Sequence, residues 1–67
     1  MTTEQIQVVA EKASQIYNSS AGYEMVMCIR LALAFEGYDY KHLTRKESDK
    51  LHRTLRKLVP EGYAVAM

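Results

Sequence analysis

Three side chains in this 67-residue sequence carry groups that catalysis or metal binding commonly uses: Cys28, His42 and His52. A nucleophilic cysteine needs an electropositive, partly open setting that stabilises its thiolate. Cys28 lies instead between Met27 and Ile29, in the most apolar stretch of the chain. We therefore expect a small buried hydrophobic residue at this position. A disulfide between two copies of the chain is the alternative role.

The same residues do not have the spacing of a metal site. Zinc sites use closely spaced pairs of Cys and His ligands, whereas this chain has one cysteine and two separated histidines. Its three glycines also stand apart and do not form a phosphate-binding loop. The sequence therefore predicts no metal, no cofactor and no catalytic residue, and we expect a protein that is not an enzyme.

A segregated set of basic residues is the strongest indication of a binding function. The formal net charge is only +1, so the whole protein is not a polycation. Six of the nine Lys and Arg residues nevertheless fall on one arc of a predicted third helix, namely Arg45, Lys46, Lys50, Arg53, Arg56 and Lys57. Such a face binds nucleic-acid phosphates, docks on an acidic protein or is the solvated side of an amphipathic helix.

Two tyrosines precede this basic helix. Tyr38 and Tyr40 flank Asp39 in the predicted loop. Loop tyrosines bury a large area and keep a polar tip, which suits a protein interface. Beside a basic helix they can also stack on unpaired bases. Covering the core is the alternative role, and we include both in the candidate macromolecule-binding site.

The apolar periodicity predicts three helices, at about 3–17, 20–36 and 45–59. In the first, one stripe contains Ile6, Val9, Ala10, Ala13, Ile16 and Tyr17, and in the third a narrower stripe contains Leu51, Leu55, Leu58 and Val59. Thr2 with Gln5 and Thr44 with Glu47 have the spacing of a capping box. Further boundary signals are Ser19 or Ser20 as an N-cap, Gly37 as a terminator and Pro60 as a stop. The prediction is one all-helical domain, 1–67.

The middle helix is apolar around nearly its whole circumference. Residues 25–35, MVMCIRLALAF, contain a single charge, and two neighbouring helices cannot cover every side of such a helix. We therefore predict a homodimer whose interface comprises Met25, Val26, Ile29, Leu33 and Phe35. A hetero-complex is one alternative. A monomer whose apolar tail, residues 63–67, covers the patch is another.

Arg30 is the one charge in this stretch. A buried, unpaired guanidinium would be very unfavourable. We expect it at an edge, with its head in water or paired with Glu36, Asp39 or a residue across the interface. The alternative role of Arg30 is to recognise a binding partner.

The compartment follows from cysteine usage and hydropathy. One cysteine cannot form an internal disulfide, the first residues lack the pattern of a signal peptide, and the apolar run is too short to span a bilayer. The sequence thus predicts a cytoplasmic regulator or accessory protein that acts by protein–protein interaction without binding a membrane. Nucleic-acid binding through the third helix is the alternative function.

Overall fold

The computed structural model describes residues 1–19 and 22–63, and within these ranges every regular element is helical. The elements in chain order are α1 (Thr3–Ser19), α2 (Met25–Phe35), a first 3₁₀ turn (Tyr40–His42), α3 (Arg45–Leu58) and a second 3₁₀ turn (Pro60–Tyr63). The predicted all-helical, three-helix fold is confirmed. None of the helices in the described residues is long and apolar enough to cross a membrane.

Both predicted capping boxes are present. The amide of Gln5 donates to Thr2 Oγ1 at 3.1 Å, and the amide of Thr2 donates to Gln5 Oε1 at 2.7 Å. At α3, the amide of Glu47 donates to Thr44 Oγ1 at 3.1 Å and that of Thr44 to Glu47 Oε1 at 2.9 Å. Each box satisfies backbone donors that the first helical turn leaves unpaired.

The boundary between α1 and α2 differs from the prediction. Ser19 is the last residue of α1, and its hydroxyl donates to the Gln15 carbonyl at 2.8 Å. A serine that satisfies the carbonyl four residues earlier can remain in a helix instead of capping the next one. The N-cap of α2 is Glu24, whose side chain makes no capping bond. Ser20, the alternative predicted cap, lies outside the described residues, as does the tail from 64 to 67.

Gly37 ends α2 as predicted. Its φ of +84° is accessible to glycine at little steric cost. The amide of Gly37 donates to the Ala34 carbonyl at 3.1 Å, and the amide of Tyr38 donates to the Leu33 carbonyl at 2.8 Å. This pair of bonds is a Schellman motif. It turns the chain sharply and brings the tyrosine-containing segment back alongside the helices.

The core lies where α1 packs against both α2 and α3. Its buried residues are Ile6, Val9, Ala10, Ala13, Met25, Cys28, Ile29, Ala32, Leu33, Leu51, Leu55 and Val59. Leu58 is the exception to the predicted α3 stripe, because 41% of its surface remains exposed. The backbone leaves helical geometry at Val59 (φ −136°, ψ 72°), so Val59 rather than Leu58 enters the core at this end.

Candidate functional site

Cys28 lies in the core of the protein, whereas His42 lies on its surface. Cys28 is fully buried, as predicted, and burial raises the pKa of its thiol, which disfavours the nucleophilic thiolate. His42 is exposed at the end of the first 3₁₀ turn. Within residues 1–19 and 22–63, no group of three or more His, Cys, Asp or Glu side chains could hold a metal ion.

The five residues predicted for a dimer interface lie on two different sides of α2. Met25, Ile29 and Leu33 are buried in the core of the chain itself, whereas Val26 and Phe35 are exposed. The first three therefore cannot belong to a surface that meets a second copy of this fold. Sequence reasoning combined the two sides because α2 is apolar on both, and periodicity cannot then show which side faces the core.

The exposed side of α2 forms an apolar ridge. Met27, Leu31 and Phe35 follow one another at intervals of four residues and so form one row along the helix. All three are exposed, Phe35 most strongly at 75%. Val26 lies beside this row and is also exposed. We call Val26, Met27, Leu31 and Phe35 the α2 ridge. Met27 and Leu31 were not in the predicted interface.

One end of the α2 ridge is held by a lysine from α1. The Lys12 ammonium lies 4.9 Å from the centroid of the Phe35 ring and 3.3 Å from a carboxylate oxygen of Glu36. A cation over an aromatic face is attracted by the ring quadrupole. These contacts orient Phe35 while leaving most of its surface in solvent.

Arg30 lies at the edge of the α2 ridge, with its head exposed as predicted. Of the carboxylates that were alternatives to water, Glu36 pairs with Lys12 and Asp39 with Lys41 (N–O distance 4.0 Å). The Arg30 guanidinium lies instead over the Tyr40 ring, 5.8 Å from its centroid. Arg30 thereby connects α2 to the first 3₁₀ turn.

All six predicted basic residues of α3 are exposed. Within the described parts of the chain, none of them forms an ion pair. Lys50 donates to Thr3 Oγ1 at 2.9 Å, and the Arg56 guanidinium lies 5.3 Å from the centroid of the Tyr63 ring. Four of the six form one row at intervals of three or four residues, and we call Lys46, Lys50, Arg53 and Lys57 the cation ridge.

Beside the cation ridge, His52 lies between two tyrosines. Its Nδ1 is 2.7 Å from the Tyr63 hydroxyl, and its Nε2 is 3.5 Å from the Tyr40 hydroxyl, at the outer limit of a hydrogen bond. The His52 and Tyr63 rings are also edge to face, with centroids 5.7 Å apart. Tyr40, one of the predicted site residues, is therefore joined to α3. Tyr38, Tyr40 and Tyr63 all pack against the core as well.

The prediction of the site missed Tyr63, which the second 3₁₀ turn carries. A Cβ atom at Gly62 would lie only 2.5 Å from Met25 Cε and 3.5 Å from the Tyr17 ring. The second 3₁₀ turn therefore lies close against core side chains, and the neighbouring Tyr63 reaches His52. The only sequence signal was the Pro60–Gly62 turn before a tyrosine, which indicates a change of direction but no destination.

The surroundings of His52 and Tyr63 also shift the pKa of each side chain. Burial lowers the pKa of His52, and the nearby charge of Arg56 lowers it further, whereas Asp49 acts in the opposite direction. Burial likewise raises the pKa of the Tyr63 hydroxyl, while Arg56 partly opposes this change. A neutral His52 has one ring nitrogen that donates and one that accepts, which suits two hydroxyl partners.

No protein-family model, curated protein or solved structure matches this chain. The features of the structure that bear on function are the α2 ridge, the cation ridge and the side chains of Tyr40, His52 and Tyr63 beside it.

The lowered pKa of His52 predicts a loss of stability in mild acid. The unfolded chain binds a proton at this histidine more readily than the folded chain, so the free energy of unfolding rises with pH across this interval. The contribution of His52 is complete above the ordinary histidine pKa of about 6.5 and is lost as the pH falls from there through the folded pKa. Urea unfolding at several pH values between about 7.5 and 5 measures this change in the free energy of unfolding.

His52→Gln should remove this part of the pH dependence. The matched control is His42→Gln, because His42 is an exposed histidine of the same chain. That variant should keep the pH dependence that His52 confers. If the stability of His52→Gln depends on pH as strongly as that of the unmodified protein, His52 is not the source of this pH dependence.

Proposed function

We propose that this chain is a non-catalytic protein that acts by binding other macromolecules, and that it forms a homodimer through the α2 ridge. The observation that carries the proposal is the exposure of Met27, Leu31 and Phe35 in one row. Fully burying one side chain of this kind contributes about 1.5–3 kcal/mol. A few such contributions are comparable with the total stability of a small domain, which makes a covering partner favourable.

A second copy fits the α2 ridge because the row is complementary to itself. If two α2 helices cross in antiparallel fashion about a two-fold axis at Leu31, each Met27 meets the Phe35 of the other copy. The two Leu31 side chains then meet on the axis. Rows at intervals of four residues interdigitate in the commonest class of helix packing. A methionine sulfur beside an aromatic ring adds a favourable contact.

Sedimentation equilibrium at micromolar concentrations tests the dimer. The unmodified protein should have twice the chain mass, and Leu31→Glu should have the mass of one chain, because two carboxylates would meet on the axis. Leu58→Glu is the matched control, since Leu58 is exposed to 41% and Leu31 to 39%. It should remain a dimer. An unmodified protein with the mass of one chain throughout this range would overturn the proposal.

We propose that the basic face of α3 contacts a further partner. The proposed role is that of a regulatory or accessory protein in the cytoplasm. An acidic protein surface is the first candidate, supported by six exposed cations that form no ion pair within the described residues. Complementary charge accelerates association and selects the partner. The cytoplasmic setting is supported by the single, buried cysteine, which provides no disulfide scaffold.

Nucleic acid is the second candidate partner. The observation that favours it is the position of Tyr40, His52 and Tyr63 next to the cations, with Arg30 and Arg56 over the tyrosine rings. Carboxylates of an acidic protein can pair with the cations, but they do not stack on aromatic rings. Nucleic-acid bases can, because each base has a π-face.

A further inference from the structure

We infer that the surface formed by the cation ridge and the adjoining aromatic cluster binds single-stranded nucleic acid, with phosphates on the ridge and unpaired bases on the cluster. This inference rests on the second candidate function and adds the strandedness of the ligand and the role of each row. The aromatic cluster is defined as Arg30, Tyr40, His52, Tyr63 and Arg56.

The cation ridge has a length and spacing suited to a nucleic-acid backbone. Lys46, Lys50, Arg53 and Lys57 extend over twelve residues of helix, whose ends are about 16 Å apart at the rise of an α-helix. Neighbouring members project from one side, three or four residues apart. A row of this kind can follow several successive phosphates. Each phosphate that it neutralises releases bound counterions, which is the main source of affinity in such complexes.

The aromatic cluster lies along one flank of this ridge. His52 is on the adjoining row of α3, one residue before Arg53, and its two hydroxyl partners come from the first and second 3₁₀ turns. Thr3, which accepts from Lys50, marks the opposite flank, where α1 begins. The surface is therefore asymmetric across the ridge. A strand lying along the ridge would have its bases toward the tyrosines and away from α1.

Two open depressions border the cluster and provide space for ring-sized groups. One, of about 460 Å³, is lined by Asp49, His52, Arg53, Arg56 and Tyr63. The other, of about 500 Å³, is lined by Arg30, Ala34, Tyr38, Asp39, Tyr40 and Lys41. Both volumes lie in the range of about 300–1,000 Å³ in which small-molecule sites occur. Each contains at least one Arg guanidinium and one Tyr ring.

The arrangement favours a single strand over a duplex. In a duplex the base faces are stacked on one another, so the rings and guanidinium planes of the cluster would have nothing to stack on. Only the cation ridge would then contribute. Carboxylates Asp49 and Asp39 line the two depressions. They repel phosphates and can accept hydrogen bonds from base amino groups, which again places the backbone on the ridge and bases in the depressions.

Fluorescence anisotropy with a labelled deoxythymidine oligonucleotide of about 12 nucleotides tests the inference. The unmodified protein should bind it at low salt, with a slope of log affinity against log salt near −3, since four contacts contribute about 0.7 each. Arg53→Gln should weaken binding and lower the slope by about 0.7. Gln15→Glu also lowers the net charge by one, at an exposed position of α1 outside both ridges, and should change the affinity less than twofold.

The cluster is tested by Tyr63→Leu and Tyr40→Leu, with circular dichroism to verify that each variant folds. Loss of one stacked base should weaken binding of the oligonucleotide about tenfold, because stacking contributes about 1–3 kcal/mol per base. The salt slope should stay unchanged, since no cation is removed. A variant that loses affinity and slope together, while still folded, would contradict the division into a phosphate row and a base row.

Two competitors separate this inference from the functions on which it depends. A duplex of equal length should compete at least tenfold less well than the single strand. If the duplex competes equally, the inference is overturned while nucleic-acid binding stands. If polyglutamate competes as well as the oligonucleotide, or if no oligonucleotide binds at low salt, both the inference and the second candidate function are overturned. The dimer, measured separately by sedimentation, is unaffected by any of these outcomes.

Discussion

Leu33→Ala is expected to remove most of the stability of the protein. Leu33 is completely buried in the core, and truncating such a leucine typically costs about 2–5 kcal/mol through lost burial and a residual cavity. A domain of this length has roughly 3–10 kcal/mol in total. Urea unfolding followed by circular dichroism should therefore show either a strongly lowered midpoint or no folded baseline.

Leu58→Ala provides the matched control for this substitution. It removes the same atoms from a leucine that remains 41% exposed at the end of α3. We expect a loss below about 1 kcal/mol, because surface positions tolerate truncation and alanine favours the helix. Equal losses for the two variants would mean that the core does not lie where α2 meets α1.

Ala13→Leu is expected to destabilise the protein although it adds apolar surface. Ala13 is completely buried on α1, and a larger side chain has no space there unless the neighbouring helices move apart. Overpacking of this kind typically costs about 1–3 kcal/mol. Thermal unfolding should show a clearly lower midpoint than in the unmodified protein.

Gln15→Leu is the control for the added leucine, because Gln15 is an exposed residue of the same helix. It should leave the midpoint nearly unchanged, since leucine and glutamine have similar helix propensities. If Ala13→Leu is as stable as Gln15→Leu, a void large enough for the extra carbon atoms must exist beside α1.

Helix content and most helix ends were readable from local patterns. Capping boxes act over four residues, so Thr2–Gln5 and Thr44–Glu47 could be recognised without knowing any tertiary contact. Gly37 was equally local, because a glycine after an apolar helix permits the left-handed turn. The start of α2 was predicted wrongly because a serine hydroxyl can either cap the N-terminus of a helix or donate to a carbonyl within one. Ser19 does the second.

In the candidate sites, too, some features follow from the local sequence and others only from tertiary contacts. The basic face of α3 depends only on helical periodicity, and the structure places all six of its residues in solvent. The aromatic cluster depends on where three separate segments meet, and no local pattern relates Arg30, Tyr40 and Tyr63 to His52. Tyr63 reaches this cluster through the close approach of Gly62 to Met25, a contact between distant parts of the chain.

The apolar stretch 25–35 shows most clearly what the sequence alone could not determine. Its composition predicts a helix with no polar side. Which side enters the core depended on packing, because Cys28, Ile29 and Ala32 fit against the neighbouring helices and became fully buried. Met27, Leu31 and Phe35 then had to face outward, since side chains on one helix keep their angular spacing. Periodicity orients a helix only when its two sides differ, and here only the contacts with the rest of the chain distinguished them.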